Sequence, residues 1–149
     1  MLRHAMVIIV TGTPATGKTT FAKQLAKEKG YAYMDLGEFA VMHGFAVEED
    51  KKRKTIVIDH EKLVKHLVNE LDRDTKIVID GHFSHELPPS IVEHCYVTKT
   101  KLPALKKRLE TRKYSKEKVQ ENIEAEIFDT CHQEATAKGH TITVVWTDA

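Results

Sequence analysis

Cysteine is scarce in this chain: of 149 residues only Cys95 and Cys131 carry a thiol, 36 positions apart. That spacing excludes a CxxC redox pair and a cysteine-built zinc site, and it suits a reducing compartment. Each reads as a small buried apolar residue. An excess of charge is missing as well. The 23 basic and 22 acidic residues leave a net charge of +1, which excludes nucleic-acid binding by bulk charge and leaves only local patches. Long apolar runs are absent: no stretch approaches the ~18 residues of a membrane span. Arg3 and His4 followed by AMVIIV imitate the start of a signal peptide, but the apolar run is too short. Neither a repeat nor a low-complexity segment interrupts the sequence. These absences predict a soluble, cytoplasmic protein with no membrane association.

What remains is an ordinary globular composition, 41% hydrophobic and 30% charged. The length predicts one domain over residues 1–149, enough to bury roughly two thirds of the unfolded surface. Strand-like and helix-like segments alternate. Met6 to Thr11 is a continuous apolar run, the pattern of a strand covered on both faces. Phe21, Leu25 and Ala26 mark a helix ending at Gly30. Tyr31 to Asp35 predicts a second strand, and Leu36 to His43 a short helix stopped by Gly44. EEDKKRK, residues 48–54, reads as a polar loop and TIVID, residues 55–59, as a short strand. Asp59 caps a helix in which Leu63, Leu67 and Leu71 recur every four residues. KIVID (76–80) and HCYVTKT (94–100) are further strands, and a helix with Pro103 in its first turn carries Leu102, Leu105 and Leu109. From Ser115, the positions Val119, Ile123, Ile127, Cys131 and Ala135 predict one long helix to Gly139. Thr141 to Trp146 is the last strand. Such alternation implies an α/β fold, a parallel sheet between two helical layers.

GTPATGKTT, residues 12–20, fits the P-loop pattern G-x-x-x-x-G-K-[ST] and falls between a predicted strand and a predicted helix. The glycines let the backbone wrap a polyphosphate, so Gly12, Thr13, Ala15, Thr16 and Gly17 form a nest of inward N–H groups. The helix dipole adds positive potential at the same place. Lys18 reaches the β and γ phosphates of ATP, the Thr19 hydroxyl ligates Mg²⁺, and Thr20 offers a further donor.

Magnesium at a P-loop needs an acid, and Asp80 ends an apolar strand in KIVIDGHF. At the carboxyl edge of the sheet it would hold a Mg²⁺-bound water. Asp also favours turns on its own account, so the P-loop is what gives it weight. His82, two residues on, is placed to order a water or a phosphate. Arg108 and Arg112, four apart in RLETRKYSKEK, share a helix face just before a break. From spacing alone they fit two readings equally: charge neutralisation during phosphoryl transfer, or surface pairing with Glu110 and Glu121.

GTPATGKTT, the DGH of residues 80–82 and above all RLETRKYSKEKVQENIEAEIFDTCHQEA (108–135) resemble the adenylate kinase isoenzyme six family, the coilin-interacting nuclear ATPase proteins and their archaeal relatives. The resemblance runs from about Val7 to Ala137. It implies a small fold like that of the nucleoside monophosphate kinases, with ATP:AMP phosphotransferase and ATPase activity. It also implies action in small ribosomal subunit maturation with a small-subunit ribosomal protein of the universal S-eleven type, some indirect rRNA contact, and a nuclear location in eukaryotic relatives. Carried over, the ATP contacts fall on Ala15, Gly17, Lys18, Thr19 and Thr20, with Arg112 from the lid. The acid and histidine fall on Asp80 and His82. The monophosphate-binding segment runs over about 35–58, starting at Asp35 and Gly37, with Arg108 beside the substrate, and the lid over about 111–121.

Three departures qualify the likeness. Ala15 stands where many relatives have glycine, a change expected to be tolerated at negative φ. Between residues 36 and 58 the sole arginine is Arg53, where adenylate kinases use arginine to clamp the acceptor phosphate. The chain reaches Ala149 just after its last predicted strand, where such folds add a helix, so one flank of the sheet is expected to lie open to a partner or a second copy, or to take a helix that this stretch of sequence does not include. Two functions follow: a kinase transferring the γ-phosphoryl of MgATP to AMP or another nucleoside monophosphate, and an assembly factor switched by ATP hydrolysis. The KKRK cluster, residues 51–54, suits RNA in the second case and reads otherwise as a solvated loop.

Overall fold

A computed structural model describes residues 6–50, 55–72 and 74–147. Five strands form one sheet in the order β2-β5-β1-β6-β7: β1 (Met6–Thr11), β2 (Ala32–Asp35), β5 (Lys76–Asp80), β6 (Val92–Lys99) and β7 (Ile142–Trp146). Every pairing in it is parallel. Strand β1 lies in the middle because its side chains can be buried on both faces. Val7 and Ile9 join Leu63, Leu67 and Val97 in one core, while Ile8 and Val10 join Ala22, Ala26 and Val78 in another. Alternation along a single strand thus divides the two layers.

Helices α1 (Lys18–Lys29), α2 (Leu36–Met42), α3 (His60–Glu70), α4 (Leu102–Thr111), α5 (Lys116–Ile127) and α6 (Thr130–Lys138) complete the α/β sandwich. Their ends follow the expected chemistry. Gly30 closes α1 at φ 70°, and Asp59 accepts a hydrogen bond from the Lys62 N–H at the start of α3. A third cluster packs Leu105 and Leu109 of α4 against Ala15, with Val119 and Ile123 of α5 around it. Among the described residues, no helix is long and apolar enough to cross a membrane.

Two expectations need correction. The long helix from Ser115 is broken: α5 ends at Ile127, Asp129 takes φ 57°, and α6 starts at Thr130. The apolar stripe misled because Ile127 is 55% exposed, whereas Cys131 and Ala135 belong to the next helix, beyond Asp129. Asp tolerates the left-handed region better than most residues, and here its carboxylate pairs with Lys99 and His132. The polar stretch at 48–54 is not all loop either. Strand β3 (Ala46–Asp50) pairs antiparallel with β4 (Thr55–Ile58), main chain to main chain, which composition does not reveal. KKRK, including Arg53, lies outside the described residues.

Candidate functional site

Strand β1 has β5 on one side and β6 on the other, so a crevice opens beyond its carboxyl end, where such sheets bind ligands. The register sets Val10 beside Asp80 and Asp35 beside Asp80, which brings the P-loop strand, the acid and the start of α2 to one edge. A cavity of about 700 Å³ lies there. Its walls include Thr13, Ala15, Gly17, Lys18, Thr19 and Thr20 from the P-loop, and Asp80 and His82 from the end of β5. Asp35, Gly37 and His60 line it as well, as do Arg112, Lys118 and Asn122 from the end of α4 and from α5.

The loop's shape follows from close approach. A Cβ on Gly12, at φ 151°, would lie 2.5 Å from Thr98 Oγ1 and 2.6 Å from the Thr98 carbonyl, so only glycine fits. Gly17, at φ 82°, turns the chain into α1, whose first turn carries no acid and whose last turn carries Lys27 and Lys29. The helix therefore presents the positive end of its dipole to the cavity. Gly12 and Thr16 stand behind the loop: the Thr16 hydroxyl donates to the Thr13 carbonyl at 2.6 Å and lies 2.8 Å from Thr98 Oγ1.

Ala15 does not meet the condition under which alanine was expected to be tolerated. Its φ is +72°, a conformation that costs an L-residue about 1–2 kcal/mol. Two contacts hold it there. Its methyl is packed on Leu105 and Leu109, and its carbonyl accepts from Arg108 Nη1 at 3.3 Å. Arg108 is thereby placed away from the cavity walls, its guanidinium also donating to Thr100 Oγ1 and to Thr147 Oγ1 and O. Its helix-face neighbour Arg112 ends α4 and does line the cavity. Lys113, at φ 60°, and the Ser115 cap of α5 make the short turn between them.

The charges are tuned by their surroundings. Burial, opposed by the Asp80 carboxylate, brings the Lys18 pKa down to about 8; its ammonium donates to the Thr13 carbonyl at 3.1 Å. The His82 ring opens into the cavity, yet surrounding protein and then the Lys18 charge push its pKa down to about 4. It is neutral at physiological pH and able to accept a hydrogen bond. Cys131 lines the same cavity, half-buried rather than buried, its Sγ 3.6 Å from the His82 carbonyl, while Cys95 is fully buried. Burial raises the Cys131 thiol to about 11, so it stays protonated.

The donor set tests the expected cation. Thr19 Oγ1 donates to Asp80 Oδ2 at 3.0 Å, placing one hydroxyl and one carboxylate together at the cavity floor. Among the described residues, no group of three or more His, Cys, Asp or Glu side chains forms a metal cluster. One acid plus one hydroxyl is an oxygen set that suits Mg²⁺, which keeps its waters and takes further oxygens from phosphate.

Three residues around the site were missed. Glu126 is 9% exposed and accepts from the Thr13 hydroxyl at 3.2 Å and the Thr100 N–H at 3.0 Å. Its signal was a carboxylate three positions after Ile123 on the apolar face of α5. Tyr33 donates to Asp80 Oδ2 at 2.5 Å, and nothing in AYMD announces it. His60 stacks on Phe83, ring centroids 4.4 Å apart, and pairs with Glu86 through Nδ1 at 2.5 Å.

A family model described as "AAA domain" matches residues 8–129. A protein of Methanocaldococcus jannaschii named "Putative adenylate kinase" is 38% identical over 137 residues, 92% of this chain and 76% of the relative. A protein of Pyrococcus abyssi with the same name is 40% identical over 130 residues, 87% of this chain and 68% of the relative. Among solved structures, shikimate kinase from Acinetobacter baumannii superposes with a TM-score of 0.64 at 15% identity, covering 97% of this chain and 85% of that one. A gluconokinase from Sinorhizobium meliloti gives 0.56 at 14%, covering 97% and 84%. At those identities the likeness concerns the fold alone.

Proposed function

The chain belongs to the family defined by that AAA-domain model and the archaeal adenylate kinase relatives, and on this premise we propose that it transfers the γ-phosphoryl of MgATP to AMP. The observation that carries the reading is one cavity lined by both sets of residues. Lys18 and Thr19 of the P-loop, Asp80, Asp35, Gly37 and His60 all line it, and so does Arg112 from the turn between α4 and α5. A volume of about 700 Å³ lies within the range of small-molecule and cofactor sites.

Phosphoryl transfer asks little covalent chemistry of a protein and much positioning. The backbone from Gly12 to Thr20 and the α1 dipole hold the ATP phosphates. Thr19 and Asp80 would hold Mg²⁺, which when bound would supply charge neutralisation at the phosphates. Lys18 and Arg112 neutralise the transferring group from two sides. An acceptor phosphate oxygen forms the new bond to the γ phosphorus as the bond to the bridging oxygen breaks, releasing two ADP. The monophosphate segment, about 35–58, and the lid, about 111–121, belong to the same single domain, 1–149, in this reading. Arg108, assigned beside the substrate by resemblance, acts in it through the P-loop.

The finer family assignment, adenylate kinase isoenzyme six, brings a second activity supported by one observation. His82 is neutral and opens into the cavity two residues after Asp80, where it can orient an attacking water. Hydrolysis would then switch the grip on a small-subunit ribosomal protein of the universal S-eleven type, with any rRNA contact indirect. Both readings are tested with MgATP and each of AMP, CMP, GMP and UMP, ADP and phosphate being measured with and without the ribosomal protein. AMP-dependent ADP supports the kinase. Capture of the ribosomal protein that is equal in ATP, ADP and nucleotide-free states contradicts the switch.

A further inference from the structure

Asp80 is held from behind by a residue outside the cavity wall. Tyr33 stands on β2, next to β5, in the register Tyr33 to Val78. Its ring packs with the Ile8, Val10 and Val78 cluster under α1, and the Lys23 ammonium lies 5.5 Å from its centroid. Its hydroxyl donates to Asp80 Oδ2 at 2.5 Å, and the Thr19 hydroxyl donates to that same oxygen at 3.0 Å. Asp80 itself is 3% exposed.

The convergence on one oxygen matters because the terminal torsion χ2 of a carboxylate is broad and turns readily. Two hydroxyls from different elements, α1 and β2, fix its plane: rotation out of that plane weakens both hydrogen bonds at once, and a half-turn merely exchanges two identical oxygens, so one oxygen takes both hydroxyls and the other is turned away from them. Thr19 cannot hold the acid alone, since its oxygen is also the one offered to the cation. The phenol has no such second duty, and a short hydrogen bond to a carboxylate is among the stronger kinds.

We propose that Tyr33 is the positioning residue of Asp80, fixing the carboxylate so that Oδ1 is the oxygen left to hydrated Mg²⁺ beside the nucleotide. The inference rests on the reading of Asp80 as the magnesium-side acid. Tyr33 touches neither nucleotide nor metal and acts only through Asp80. Its sequence mark is slight, an aromatic hydroxyl two residues before the end of a strand.

Tyr33→Phe keeps the ring and its packing and removes only the hydroxyl. The measurement is the affinity of a fluorescent ADP analogue with and without Mg²⁺, together with the free Mg²⁺ that half-saturates turnover. Without Mg²⁺ the affinity should stay within about twofold of wild type. The gain conferred by Mg²⁺ should shrink about 5- to 10-fold, less than the full effect of one hydrogen bond to a charged group because the Thr19 bond to the same oxygen remains. In an Asp80→Asn background, Tyr33→Phe should change nothing further. A variant with the full Mg²⁺ gain overturns the inference, as does an equal loss with and without the metal, which is what a merely structural phenol produces. A wild-type protein indifferent to Mg²⁺ overturns the reading of Asp80 as well.

Discussion

The guanidinium of Arg108 donates to the carbonyl of Ala15 at 3.3 Å, across a turn in which Ala15 sits at φ 72°. An arginine of α4 thus holds the strained residue of the P-loop, and through Thr147 it ties the loop to the end of β7.

Arg108→Lys should therefore loosen the ATP site while leaving the acceptor site alone. Lysine cannot reproduce a fork that reaches Ala15, Thr100 and Thr147 together. The expected cost is about 1–2 kcal/mol of stability and a several-fold rise in KM for ATP, with KM for the monophosphate unchanged. Glycine takes positive φ without strain, so Ala15→Gly should reduce the cost of Arg108→Lys in a double-mutant cycle. Direct contact of Arg108 with the acceptor would instead raise the monophosphate KM.

Lys18 is a functional residue at odds with stability. Its pKa falls from 10.5 unfolded to about 8 folded, so below pH 8 both states are protonated and the folded state bears the full penalty. Between about 8 and 10.5 the unfolded chain holds more protons, and stability rises with pH. Lys18→Met should abolish turnover yet raise stability at pH 7 by about 1–2 kcal/mol, after allowance for water in the cleft. Thermal melts should show a gain of roughly 4 °C at pH 7 that shrinks towards pH 10. A melting temperature that drops in the variant contradicts the placement of the ammonium.

Glu126 couples α5 to the P-loop. Glu126→Ala leaves the Thr13 hydroxyl and the Thr100 N–H without their buried acceptor, which should cost about 2–3 kcal/mol and weaken ATP binding about tenfold. Glu126→Gln keeps one acceptor oxygen and should recover part of both losses. Urea unfolding and nucleotide titration on the same samples check this; an alanine variant of wild-type affinity would show that the contact does not shape the loop.

How legible the site was depends on where each residue's signal lay. Strand and helix periodicity located nearly every element, because burial imposes it, and the P-loop was readable because its glycines are sterically required. Asp80 could be placed by its position at the end of a buried run. Asp129 was not legible: a helix break made by one left-handed residue leaves the apolar spacing around it intact. TIVID was legible as a strand, but its partner β3 was missed, because polar residues pair there through their backbones. Tyr33 on Asp80, Glu126 on Thr13 and the clamp of Arg108 on Ala15 join residues between 47 and 113 positions apart, and only the parallel crossovers bring them together. The φ of Ala15 was open in the sequence and is decided by that clamp.

The central claim is tested most directly by product stoichiometry with limiting AMP and excess MgATP. The account predicts two ADP formed for each AMP consumed, with free phosphate far slower, and no turnover in Lys18→Ala. Phosphate release at a rate unaffected by AMP, with no ADP gained from the monophosphate, would contradict it.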